Sequence, residues 1–142
     1  YIYSRVGNTP DAEDLTAQTF LSALESLPRY RERGTFSAWL FAIAHSKIMD
    51  HFRRKDPGTL LEDQSPLPDV TSQVELTDQA TRLAPLIHAL DEHEQELIRL
   101  RFVADLSFAE MAALLNKKED TVKKSLYRLL ARLKGQMEAE NV

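Results

Sequence analysis

At 142 residues and 43% hydrophobic content, the chain has room for one compact domain or two small ones and is too apolar for wholesale disorder. No apolar run approaches the roughly 20 residues that span a bilayer, so membrane insertion is not expected and a cytoplasmic location is; the absence of cysteine excludes disulfides and thiolate metal sites. The net charge of −4 leaves polyanions open as partners, because a binding surface responds to its local field and the charge here is unevenly spread.

Residues 1–55 carry eight basic and six acidic side chains, residues 56–90 carry one and six, and residues 91–142 carry nine and ten. The chain opens at Tyr1 rather than Met, and an N-terminal piece is expected to be missing. The first helix signal is Thr9, read as the cap, with Pro10 at the first helical position and Asp11, Glu13 and Asp14 near the positive helix start. From there to Leu27, a 3.6-residue wheel gathers Ala12, Leu15, Phe20, Ala23, Leu24 and Leu27 on one side, with Asp14, Gln18, Ser22 and Glu25 opposite. Pro28 closes this helix, and "PRYRERGT" (28–35) reads as a basic loop around Gly34. A second helix is expected from Thr35 or Ser37 through "AWLFAIAHSKIMDHFRRK". Its first half is apolar nearly all round, and its cationic end suits the negative helix terminus.

"DPGTLLEDQSPLPDVTSQ" (56–73) holds three prolines, a glycine and four acids without a sustained period, which marks a linker. Helical pattern returns at Val74–Leu83 and resumes after Pro85, where Leu86, Ile87, Leu90, Leu97, Leu100 and Phe102 give the apolar side of one or two helices. Asp105 and Leu106 turn the chain, and Ser107 caps "FAEMAALL". The expected fold is all-α: two small helical domains, 1–55 and 85–142, joined by an acidic flexible linker over 56–84.

The basic groups of the second domain are concentrated in "NKKEDTVKKSLYRLLARLK" (116–134), seven against two acids. Two short helices with a tight turn between them explain the pattern. Ala112 is small enough for close helix approach, and Asn116 stands where a positive φ is expected. Val122, Leu126, Leu129 and Leu133 point back at the first helix, leaving Lys123, Lys124, Tyr127, Arg128 and Ala131 outward. This is a helix-turn-helix with a cationic second helix. Entering a major groove N-terminus first, it brings Thr121, Lys123, Lys124 and Ser125 to base edges, and Arg128, Arg132 and Lys134 to phosphates.

"DAEDLTAQTFLSAL" (11–24), "RYRERGTFSAWLFAIAHSKIMDHFRR" (29–54) and "LDEHEQELIRLRFVADLSFAEMAALLNKKEDTVKKSLYRL" (90–129) together resemble successive signatures of bacterial sigma factors. The resemblance is to the short, extracytoplasmic-function (ECF) group of the sigma-70 family and covers about residues 5–135. It implies a transcription initiation factor that binds core RNA polymerase and directs it to promoter DNA. The second module then reads the −35 element as duplex, and the first captures the −10 element as melted strand. Aromatic faces beside cations suit unstacked bases: Phe36 and Trp39 flank Arg29, Arg31 and Arg33, with Arg53 and Arg54 toward the backbone and Ser46 on the −10 helix. Asp14 and Gln18 match the family's polymerase-clamp surface. An anti-sigma partner is also expected, since an apolar and cationic surface of this kind needs masking when idle. Thr19, Ser46, Asn116 and Ser125 depart from the residues common in the family.

Catalysis is not expected, and neither a cofactor nor a metal. No nucleotide-binding or nucleophile motif is present, and neither His45 with His51 nor His88 with His93 has the i, i+4 spacing of a helical zinc pair. The alternative functional reading is a stand-alone helix-turn-helix regulator with an N-terminal dimerisation or sensing module. A protein-binding helical scaffold whose lysines never touch DNA is a third.

Overall fold

The computed structural model describes residues 1–32, 34–55 and 78–140, and every regular element among them is helical. Arg33 and the proline-rich linker stretch at 56–73 lie outside the described residues.

The front module begins with α1 (Ile2–Val6), which stops at Gly7, whose φ of 78° is the left-handed value a glycine takes without a Cβ penalty. Asn8, rather than Thr9, caps α2 (Thr9–Ser26): its side chain accepts the Asp11 N–H at 2.9 Å, and Thr9 and Pro10 occupy the first turn. Leu27–Arg29 form a single 3-10 turn after which the chain is extended at Tyr30. The Thr35 hydroxyl then accepts the Ala38 N–H at 3.2 Å and starts α3 (Phe36–Lys55), which ends in Arg53, Arg54 and Lys55.

The core between these helices is small: Ile2, Ala12, Leu15, Ala44 and Ile48, edged by Val6, Met49 and Phe52. The buried positions of α2 are 12, 15, 19 and 23, and Thr19 enters by donating its hydroxyl to the Leu15 carbonyl at 2.7 Å. Phe20, Leu24 and Leu27, expected to face the core, are instead exposed, Leu24 at 69%. The apolar arc on the wheel is wider than the stripe one partner helix covers. Phe20 borders an open apolar cleft of about 670 Å³ shared with Tyr1, Leu40 and Phe41.

The helical pattern read at Val74–Leu83 meets a helix from Asp78 on, its residues 74–77 lying outside the described residues. Residues 78–84, expected to end the linker, open α4 (Asp78–His88), which runs through Pro85 instead of breaking there. Arg82 ties this helix to the far end of the chain by donating to the Met137 carbonyl at 2.8 Å. Asp91 caps α5 (Glu92–Ile98) by accepting the Glu94 N–H at 2.8 Å, and a π-helical turn, Arg99–Val103, follows directly. That wider turn breaks the α period, so Phe102 points outward at 59% exposure although its spacing from Leu97 and Leu100 had placed it with the core. After Asp105 (φ 55°) come α6 (Phe108–Leu115) and α7 (Glu119–Ala139). Ten buried apolar residues from Leu90 to Leu133 form one cluster, and Tyr1 and Phe41 of the front module pack against its edge.

Candidate nucleic-acid interface

The local chemistry of the α6–α7 unit fixes the geometry of its exposed face. Ser107 accepts the Glu110 N–H at 3.1 Å and begins α6. Asn116 ends it in the left-handed conformation (φ 52°, ψ 47°), with the Lys117 N–H donating to the Ala112 carbonyl at 3.0 Å in the six-to-one closure of a Schellman turn. The expected turn residue therefore has the expected backbone. Glu119 and Asp120 then sit in the first turn of α7, where the helix dipole favours carboxylates. Val122, Leu126, Leu129 and Leu133 are all buried, at spacings of four, three and four, against Met111, Ala112 and the leucines of α5 and the π turn.

With that seam inward, Thr121, Lys123, Lys124, Arg128, Arg132 and Lys134 are exposed and Ser125 is half-buried. The cations are not equivalent. Lys124 pairs with Asp120 at 2.9 Å, Arg132 with Glu94 on α5 at 2.6 Å, and Lys134 with Glu138 at 3.8 Å. Lys123 lies over the Phe108 and Tyr127 rings at 6.0 and 5.9 Å. Among the described residues Arg128 has no carboxylate partner. Exposed ion pairs contribute only about 0–1 kcal/mol, so a phosphate can displace these carboxylates, but Arg128 starts unencumbered.

The front module carries a second exposed stripe. Trp39, Ser46 and Arg53 are seven residues apart on α3 and therefore share one side of the helix, opposite the buried Ile48. At the head of this stripe three rings cluster. Trp39 lies 4.8 Å from Tyr30 and 5.3 Å from Phe36, and Tyr30 lies 5.8 Å edge-on from Phe36. Phe36 is exposed, while Trp39 and Tyr30 are half-buried. Tyr30 was not singled out in the sequence, although its position in the basic loop, across a glycine turn from Phe36 and Trp39, carries the signal. Arg29, Arg31, Ser46, Arg53 and Arg54 are exposed, with Arg53 loosely paired to Asp50 at 3.4 Å. On the outer side of α2, Gln18 donates to Asp14 at 2.8 Å.

Where the modules meet, charge is buried. Arg5 on α1 donates to Glu92 and, at 3.2 Å, to Glu96 on α5, while Tyr1 donates its hydroxyl to Glu96. Arg99, fully buried, donates to Glu92 and to Gln95 at 2.8 and 2.9 Å. Burial, reinforced by the Glu96 carboxylate, pushes the Tyr1 phenol far above its usual value and keeps it a neutral donor. Burial also lowers the His45 imidazole on α3; Glu96 opposes the shift and Arg5 adds to it.

The Sigma-70 region 2 family matches residues 1–57, and the Sigma-70, region 4 family matches residues 81–133. The ECF RNA polymerase sigma factor BldN of Streptomyces coelicolor is 36% identical, over 94% of this chain and 53% of its own length. The ECF RNA polymerase sigma factor SigD of Mycobacterium tuberculosis is 31% identical, over 98% of this chain and 71% of its own. The solved structure of CnrH in complex with the cytosolic domain of CnrY superposes with a TM-score of 0.64 at 25% identity, over 97% of this chain and 78% of that one. The sigma factor RpoE, in complex with the anti-sigma factor NepR from Bartonella quintana, shares the fold with a TM-score of 0.66 at 21% identity, over 96% and 87%. The chain thus spans about half the length of BldN. Fold and matches define a protein of two modules, helical among the described residues, that correspond to regions 2 and 4 of the sigma-70 family. The chain belongs to the ECF group of the sigma-70 family.

Proposed function

We propose that this chain binds core RNA polymerase and directs it to promoters, each module reading one element. The α6–α7 unit reads the −35 duplex with Thr121, Lys123, Lys124 and Ser125 at base edges, while Arg128, Arg132 and Lys134 hold phosphates. The α3 stripe and its loop hold the melted −10 strand. Tyr30, Phe36 and Trp39 offer ring faces, Ser46 a hydrogen-bonding group, and Arg29, Arg31, Arg33, Arg53 and Arg54 the charge along the backbone. Asp14 and Gln18 form the polymerase-facing patch on α2. The work is recognition and strand capture, with the chemistry left to the polymerase. It takes place in the cytoplasm, where an anti-sigma protein masks the chain when idle; in support, the sigma factor RpoE of Bartonella quintana, which shares the fold, is bound by the anti-sigma factor NepR. Among the described residues no helix is long and apolar enough to cross a membrane.

The observation that carries this reading is the pairing of two unlike exposed stripes on the two family-matched modules. A lone regulator needs only the cationic helix; the aromatic cluster at Tyr30, Phe36 and Trp39 suits separated bases. The test is in vitro transcription from a randomised promoter library with this protein and core polymerase. Enrichment of paired −35 and −10 sequences, together with co-purification with core at moderate salt, is the expected result. Tight binding to a symmetric duplex site without polymerase points instead to the stand-alone regulator.

A further inference from the structure

The cations on the exposed face of α7 are held in two different ways. Lys124, Arg132 and Lys134 lean on carboxylates, contacts that exposed charges exchange readily for phosphate. Lys123 has Glu119 four residues before it, the spacing of a helical ion pair, yet among the described residues it makes none. Its ammonium stands instead 6.0 Å from the centre of the Phe108 ring and 5.9 Å from that of Tyr127. The two rings meet edge to face, 5.8 Å apart.

This corner is braced from behind. Phe108 is the first residue of α6 and is half-buried against the rear core. Arg101, in the π turn, lays its guanidinium on the same ring at 4.6 Å and is fixed there by donating to the Leu106 carbonyl at 2.8 Å. The bond that anchors Arg101 thus runs to the loop that delivers Phe108. The π turn, that loop and the start of α6 together set one ring in place.

We propose that Phe108, backed by Arg101, is a positioning residue for duplex recognition: it fixes the Lys123 ammonium where it selects one base pair. This rests on the −35 reading proposed above and deepens it with two residues that act through Lys123 rather than on the bases. A phosphate accepts a lysine from many directions, so a mobile cation is enough to hold register. A base edge is more demanding. An ammonium has donors only, and in the major groove guanine offers it two neighbouring acceptors, adenine and thymine one each, and cytosine a donor. Choosing among them takes a charge whose place is already set, and a side chain ordered before contact loses less freedom on binding. Lys124, one position on and tied to Asp120, lacks such a corner.

Selection from promoters with a randomised −35 segment, by the full chain bound to core polymerase, reads each position separately. The unaltered chain should favour one base, guanine by the count of acceptors, on the order of tenfold at the position whose preference Lys123→Gln erases. Phe108→Leu keeps apolar bulk against the core and removes the ring. It should cut the preference at that same position to about twofold and leave the other positions unchanged. The double variant K123Q/F108L should lose no more than Lys123→Gln alone, and Phe108→Tyr should keep the preference. Arg101→Lys retains the charge without the planar stack, so it should weaken the same preference with an unaltered salt dependence. Should Phe108→Leu lose its helical circular dichroism, Arg101→Lys decides under the same criterion. Without DNA, the ε-methylene resonances of Lys123 should lie upfield of those of other exposed lysines and return to the ordinary position in Phe108→Leu.

An unchanged preference in folded Phe108→Leu overturns the assignment. So does a loss spread evenly over the −35 positions, which marks a merely structural role, or a loss at a position that Lys123→Gln does not affect. If the unaltered chain selects no −35 sequence with core polymerase, the promoter reading is overturned, and the resonance shift still decides whether Phe108 holds Lys123.

Discussion

The two modules solve the same packing problem with unequal means. The rear one encloses ten buried apolar residues in a single cluster, and its long helix presents a clean division between seam and exposed face. The front one has five, leaves Phe20, Leu21, Leu24 and Leu27 uncovered, and lends Tyr1 and Phe41 to its neighbour's edge. On the proposed reading, a rigid helix that must match the pitch of a groove needs a complete core behind it, and a surface that captures separated bases needs rings standing partly free of one, as Phe36 does beside the half-buried Tyr30 and Trp39.

The largest effect should come from the cores themselves. Leu126→Ala is expected to cost about 2–5 kcal/mol, toward the upper end because the surrounding cluster cannot collapse into the space. Ile48→Ala should fall toward the lower end of the same range, because its cluster has only five buried members and closes more readily around the loss. Urea denaturation of both variants checks this, and equal losses would erase the contrast between the modules. Next comes Trp39→Ala, which should weaken binding of melted −10 DNA by the polymerase complex by about 1–3 kcal/mol while leaving −35 duplex binding unchanged. Fluorescence anisotropy with the two DNA forms separates those terms, and a parallel loss in both would refute a division of labour.

A smaller effect belongs to pH. Burial, with the positive charge of Arg5 and against the pull of Glu96, holds the His45 imidazole below its ordinary 6.5, so the folded chain favours the neutral ring. The unfolded chain therefore takes up the proton first as pH falls. The His45 contribution is fully present above pH 6.5 and is lost progressively below it. Urea midpoints at roughly pH 7.5 and pH 5.5 should differ less in His45→Gln than in the unaltered chain. Smallest of all is the distinction among exposed cations. Arg128→Gln should flatten the salt dependence of −35 binding by about one unit. Arg132→Gln should flatten it by less, because Glu94 already holds that guanidinium.

Local signals made much of this legible before any coordinates. The seam from Val122 to Leu133 follows from a 3.6-residue period, and the left-handed turn at Asn116 from the short list of residues that tolerate a positive φ. Of the two starts read for α3, Thr35 and Ser37, it is Thr35 whose hydroxyl accepts the Ala38 N–H and caps the helix. What the sequence concealed depends on partners distant along the chain. No periodicity says that α3 is too narrow to cover Phe20 and Leu24, or that a π turn rotates Phe102 outward. Arg5 sits in "YIYSRV" like any surface arginine, and its partners are more than 80 residues away. The carboxylates that hold Lys124 and Lys134 are four residues off and could be read locally, but Glu94, which holds Arg132, could not.

One feature of the joint between the two modules reaches past the single molecule. Glu92 accepts from an arginine of each module, so it answers to two residues that lie 94 positions apart in the chain. Drift at residue 5 is then penalised or tolerated according to what stands at 92, 96 and 99. In descendants of this gene those four sites should change as a set, a hereditary linkage between the two ends of the polypeptide that neither module would impose alone.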